Sequence, residues 1–262
     1  MLHNVPDVLA RIVARKREEV DRVRTRPDWE ARAAAAMAKR RDFAAALRAR
    51  TPAVIAEVKQ ASPSKGTLTA DFDAVRIAGG YERGGAAAIS VLTDESFFRG
   101  SLADLEAVRE ATSVPILRKD FTIAAGQIAE SAAHGADAIL LIAAILSELE
   151  LRDFREAAAR YQMAALVEVH NRRELDTAIA AGSEIIGVNN RDLNTFEVAI
   201  ETSLRLAEYI PDGAIRISES GIHHAQDVAR LRAVGFHAFL VGEHLMKSGD
   251  PAAAIRELVA AA

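Results

Sequence analysis

In the stretch VIAEVKQASPSKG, Glu57 and Lys59 stand two residues apart where the apolar run Val54-Ile55-Ala56 gives out. Residues two apart on a strand face the same way. A carboxylate and an ammonium therefore leave this strand on the face that carries Ile55. Other apolar runs end in the same manner: Lys119 follows Leu117 by two, Glu168 follows Leu166 by two, and Asn189 closes IIGVN. One polar residue at one strand end is ordinary. Two lysines and two carboxylates of common parity are different, because charges directed into a low-dielectric pocket are unfavourable unless paired or used. Such a set compensates its own charge and offers proton donors and acceptors to a reacting molecule.

Two further groups favour a particular kind of ligand. ISESGI places Gly221 in a turn, and VGEHLM does the same for Gly242 before a short helix that opens at Glu243. Backbone N–H groups in glycine turns and at a helix start attract phosphate. Aromatic residues collect nearby: Phe97 and Phe98 in DESFFRGS, and Phe121 just after Lys119. They serve either as loop core or as walls for an aromatic substrate. Another run stays apolar through Leu140 and Ile142. His134, His224 and His237 are expected on helices or turns. His170 and His244 lie nearer the strand ends, and a structural role is expected for these as well. No histidine stands with carboxylates in a pattern that reads as a metal site.

The elements that must position these residues show in a repeat. GAAAISVL from Gly85, GADAILLI from Gly135, GSEIIGVN from Gly182 and GFHAFLVG from Gly235 recur about fifty residues apart. In each, a glycine closes a helical stretch in the left-handed conformation that L-residues avoid. A short run then follows that is too uniformly apolar for a half-exposed strand, as in a parallel sheet buried on both faces. Intermediate runs begin at Ala53, Val114, Ala164 and Ala214, which makes eight strands. SELE from Ser147, NRRE from Asn171 and Ser101 before LADLEAVREA supply helix starts. Eight alternations predict an α/β protein of the (β/α)8, or TIM, barrel class, whose sites lie at the C-terminal strand ends. An open doubly wound sheet is the alternative, but no G-x-G-x-x-G turn follows the first strand. The whole chain, 1–262, is expected to form one domain. Residues 1–50 are an N-terminal helical extension in which VLARIVARKREEVDRVR packs on the barrel as an amphipathic helix.

Bulk composition narrows the partners. Hydrophobic residues make up 50% and charged residues 27% of the chain, and 33 basic against 37 acidic residues leave a net charge of −4. That balance suggests neither a nucleic-acid nor an anionic-membrane partner. The absence of cysteine removes disulfides, thiolate catalysis and cysteine-based metal sites. The opening MLHNVPDVLARIVARKREEV lacks the apolar core of a signal peptide. The apolar run Ala138 to Leu146 falls well short of the ~18 residues that span a bilayer. A cytoplasmic protein is expected, monomeric, with a weak homo-oligomer as the alternative state.

IAEVKQASPSKG, ISVLTDESFFRGS, PILRKDF, GADAILLI, ALVEVH, IIGVNNRDL, ISESGI and AFLVGEHLM, in this order, resemble the motifs of the indole-3-glycerol phosphate synthases, (β/α)8 enzymes of tryptophan biosynthesis. The likeness runs through the chain from about Val54, and the helical extension fits it too. It implies a small phosphorylated substrate, 1-(2-carboxyphenylamino)-1-deoxyribulose 5-phosphate, closed to an indole with loss of CO2 and water, and neither metal nor organic cofactor. By the same resemblance Lys119 is a general acid on the ribulose carbonyl, and Glu168 an acid–base or electrostatic residue. Glu57 and Lys59 are the strand-one catalytic pair, and Asn189, Glu219 and Ser220 the remaining polar positions. Ser62, Gly221, Gly242 and Glu243 fall in the phosphate region. Phe98, Phe121, Leu140, Arg191 and Leu193 line the substrate. Some relatives carry serine where this chain has Glu243, so only its backbone N–H is expected to meet phosphate. Lys59 and Glu168 both remain candidates for the acid that expels water. Rival readings are another phosphate-binding barrel enzyme, an isomerase or a Schiff-base aldolase, and a non-catalytic sugar-phosphate binder. The isomerase reading is weakened because such enzymes pair a cysteine with an aspartate.

Overall fold

A computed structural model describes residues 7–23, 28–63, 65–69 and 71–260. Expectations that rest on residues 1–6, on Arg24 at the end of the amphipathic stretch, on the rest of the extension between residues 24 and 27, and on Ser64 in the SPSKG turn lie outside these residues.

Eight parallel strands close into a barrel: β1 (Ala53–Val58), β2 (Ala88–Leu92), β3 (Ile116–Lys119), β4 (Ala138–Ile142), β5 (Ala164–Val169), β6 (Ile185–Asn189), β7 (Ile215–Glu219) and β8 (Ala238–Val241). They pair in chain order, and β8 returns to β1 with Ala56 opposite Val241. Every residue of β1, β2 and β4 is buried, which explains why the runs show no polar alternation until their ends. The four repeat glycines adopt positive φ, 96° at Gly85, 86° at Gly135, 77° at Gly182 and 94° at Gly235, and release each helix into the next strand. One expectation needs adjusting. Lys59 lies one residue beyond the last of β1, where the chain enters a small antiparallel ribbon of Ala61–Ser62 against Gly66–Thr67.

Thirteen α-helices lie among the described residues. Before the barrel come α1 (Asp7–Val23), α2 (Trp29–Ala36) and α3 (Phe43–Arg48). Around and over it run α4 (Ala74–Gly84), α5 (Glu95–Phe98), α6 (Leu102–Ala111), α7 (Ala125–Ala133), α8 (Glu148–Arg160), α9 (Arg172–Ala180), α10 (Glu201–Leu206), α11 (Ala225–Ala233), α12 (Glu243–Lys247) and α13 (Pro251–Val259). Ser101, Ser147 and Asn171 cap α6, α8 and α9 as their sequence positions suggest, each accepting from the backbone N–H three residues on. No described helix is long and apolar enough to cross a membrane.

The extension is joined to the barrel by buried polar contacts as well as by Leu9, Ile12, Trp29 and Phe43. Asp137, just before β4, accepts the Arg41 N–H at 2.7 Å and the Ile116 N–H at 2.8 Å, and pairs with Arg109. Asp137→Ala would leave the buried Ile116 N–H, the Arg41 N–H and a guanidinium without their acceptor. The expected loss is about 3–5 kcal/mol of unfolding free energy by urea titration, and a loss near zero would show that water replaces the carboxylate freely.

Candidate active site

Along the barrel axis the inward-facing positions of successive strands end in Glu57, Leu92, Lys119, Ile142, Glu168, Asn189, Glu219 and, just past β8, Gly242. Strand parity delivers each of them to the C-terminal mouth. Lys59 donates to Glu57 Oε1. Lys119 Nζ lies 3.2 Å from Glu168 Oε2 and 3.7 Å from Glu219 Oε2. All three glutamates are at most 5% exposed. Glu219 fits because β6 carries Gly187, where a Cβ would collide with Glu219 Oε1.

The electrostatics of this set are unequal. Burial opposes charge on Lys119, but the carboxylates of Glu168, Glu219 and Glu57 outweigh it and hold the ammonium charged. Burial would likewise raise Glu57 and Glu168; Lys59 and Lys119 reverse this for Glu57, and Lys119 and His170 for Glu168, so both sit below the usual carboxylate range. Glu219 goes the other way. Its burial, reinforced by the neighbouring Glu168 carboxylate, pushes it up to about 8. At neutral pH Glu57 and Glu168 are therefore carboxylates, Lys119 an ammonium and Glu219 a carboxylic acid, which separates proton donors from acceptors.

His170, expected to be structural, stands two residues after Glu168 with its Nε2 3.3 Å from Glu168 Oε1. Its Nδ1 faces Glu174 Oε2 at 2.9 Å. Burial would lower this imidazole, but the two carboxylates raise it to about 10, so it is a cation beside Glu168. The parity of E-V-H was a visible signal; the partner on α9 was not. With the cation gone Glu168 protonates at higher pH. His170→Ala is thus expected to move the acid limb of the kcat profile upward by about one pH unit with little change in KM. An unshifted limb would show that His170 does not act on Glu168.

The turns after β7 and β8 form a second group. Ser220 and Gly221 both have positive φ, 67° and 75°. Serine in that region is strained, and a buttress holds it: buried Asn190 donates to the Ser220 carbonyl and to Ser218 Oγ, each at 3.0 Å, and accepts from the Ser203 N–H. Asn190 was not among the expected site residues, although it adjoins Asn189 in the sequence. At Gly221 a Cβ would also meet Val198 Cγ1 at 2.6 Å. Gly242 is a different case. Its φ is −120°, so the left-handed conformation is not its reason for being glycine. A Cβ there would collide with Glu57 Oε1. The Glu243 carboxylate is turned toward Lys65, 2.5 Å away, and Lys247, 2.7 Å away, with Arg191 at 3.9 Å.

On the other side the wall is apolar. The Phe98 and Phe121 rings lie 6.1 Å apart, and Leu140, Leu193 and the Arg191 side chain continue the surface. Val8, Leu9 and Ile12 of α1 join it, a contribution the sequence reading did not identify. Ser62 and Asn189 complete a cavity of about 390 Å³ that every residue expected to catalyse or bind lines. Among the described residues no group of three or more histidines and carboxylates is placed to hold a metal ion.

The site thus combines a (β/α)8 barrel with lysine–carboxylate pairs at its mouth, glycine turns beyond the last two strands and an aromatic wall. The family model of indole-3-glycerol phosphate synthase matches residues 9–258. The chain belongs to that family, decarboxylating, ring-closing lyases of tryptophan biosynthesis. It is 49% identical over 248 residues to the indole-3-glycerol phosphate synthase of Koribacter versatilis, covering 90% of this chain and 95% of the relative. It is 47% identical over 262 residues to that of Albidiferax ferrireducens, covering 98% and 99%. Among solved structures it resembles KGPDC from Streptococcus mutans, with a TM-score of 0.61 at 14% identity, covering 81% of this chain and 97% of the other. A 3-hexulose-6-phosphate synthase gives a TM-score of 0.64 at 14% identity, covering 80% and 99%. At such identities these structures speak for the fold alone.

Proposed function

We propose that the cavity closes 1-(2-carboxyphenylamino)-1-deoxyribulose 5-phosphate to indole-3-glycerol phosphate, and that the residues above divide the work. The observation that carries this reading is Lys119, half-buried between Glu168 and Glu219 in a cavity that also has an aromatic wall and glycine turns. The substrate phosphate lies against Ser62 and the backbone at Gly221, Gly242 and Glu243. Its aryl ring packs on Phe98 and Phe121 beside Arg191 and Leu193. Lys59 meets the substrate carboxylate while Glu57 orients it. The aryl carbon bearing that carboxylate attacks the C2′ ketone, and Lys119 donates a proton as the ketone oxygen becomes a hydroxyl. Loss of CO2 returns the electron pair to the ring. The hydroxyl leaves as water with a proton from Lys59, and ionised Glu168 takes the proton released from C1′. Glu219, protonated beside Lys119, keeps the negative charge there from doubling. Asn189 accepts the Arg191 N–H at 3.0 Å and holds that side of the mouth. The reading places the reaction in the cytoplasm, in keeping with a cysteine-free chain, and in a monomer. Incubating the protein with this substrate tests it: indole fluorescence is expected to grow in, and binding without a rise in fluorescence would point to a sugar-phosphate binder instead.

A further inference from the structure

Lys16 is a buried cation that the proposed chemistry does not use. Its side chain is 4% exposed, and its Nζ lies 2.9 Å from Asp94 Oδ2, 2.8 Å from Asp120 Oδ1 and 2.7 Å from Glu19 Oε2. Each of the two aspartates has a second task. Asp94 Oδ1 accepts the Phe97 N–H at 2.7 Å and so caps α5, the short helix that ends in Phe98. Asp120 Oδ1 accepts the Phe121 N–H at 2.8 Å. The far side of Asp120 is fixed as well, by Thr93 at 2.6 Å and by Arg118 at 3.0 Å, which Glu130 holds at 2.9 Å. Burial alone would lower the Lys16 ammonium, but Asp120 and Asp94 reverse this and keep it charged. One ammonium thus ties together the supports of the two loops that carry Phe98 and Phe121. It does so from the helix whose Val8, Leu9 and Ile12 complete the same wall. A buried ion pair contributes little net stability, and here both aspartate partners are each held by a second contact.

We propose that Lys16 is a positioning residue that locks the Phe98–Phe121 wall to α1 and thereby sets affinity for the aromatic half of the substrate, independently of the phosphate half. The inference rests on the substrate reading given above. In the full chain, Lys16→Met is expected to raise KM about tenfold through misplacement of the wall. The inhibition constant of inorganic phosphate, which needs only the glycine turns, is expected to stay at its wild-type value. Because Lys16→Met leaves two carboxylates buried without their cation, the double variant Lys16→Met/Asp94→Asn is measured beside it, and the same split is expected. Phe121→Ala reports the effect of removing part of the wall outright. If Phe121→Ala raises KM and the folded Lys16 variants do not, the positioning role is wrong. A parallel rise in KM and in the phosphate inhibition constant would also overturn it, since that is the mark of a general loosening. If Phe121→Ala itself leaves KM unchanged, the aromatic reading of the wall fails, and the inference fails with it.

Discussion

Lys119→Met is expected to lower kcat by roughly 10²-fold or more, the usual contribution of a positioned proton donor. The lysine is the cation nearest both Glu168 and Glu219, and its removal leaves these two carboxyl groups facing each other without it. KM should change far less, because the glycine turns and the aromatic wall do not depend on it. A steady-state comparison of kcat and KM decides the point. A variant with near-wild-type kcat would mean that the proton comes from elsewhere, with Glu219 the first alternative, since it is already protonated near neutral pH.

The second large effect is expected at Gly242. Any side chain there collides through its Cβ with the Glu57 carboxylate, and neither group can yield without moving. Displaced, Glu57 no longer holds Lys59. Gly242→Val is therefore expected to reduce kcat about 10²-fold, as a misplacement of about 1 Å in a catalytic group can do. KM should rise too, because the proposed reading sets the phosphate against the same turn. Gly242→Ala, which adds only the colliding Cβ, should fall between Gly242→Val and wild type in kcat. The contrary result is a Gly242→Val enzyme whose KM alone is changed. That would return Gly242 to the anion-site role read from the sequence and free Glu57 from any dependence on it.

Gly242 also marks where a sequence stops being readable. The eight strands could be found because a parallel sheet buried on both faces leaves uninterrupted apolar runs, and because left-handed glycines punctuate them. Glu57, Lys119 and Glu168 could be found because inward parity is countable along one strand. What parity cannot give is a neighbour on another element. The closeness of Gly242 to Glu57 follows from the pairing of the first strand with the last, Ala56 opposite Val241, and no local pattern specifies that register. His170, Asn190 and Lys16 escaped for the same reason. Each looks like an ordinary polar residue until Glu174, Ser220 or Asp94 is brought beside it by packing.

The proposed function requires that this cavity perform a decarboxylating ring closure by proton transfer, with its lysines never bound covalently to substrate. The most direct measurement follows CO2 release and indole fluorescence in one reaction mixture, with sodium borohydride added to a parallel sample that is then weighed intact. One CO2 for each indole formed and an unmodified protein mass are expected. Substrate trapped on Lys119 or Lys59 as a reduced imine, or indole formed without matching CO2, would contradict the proposed function.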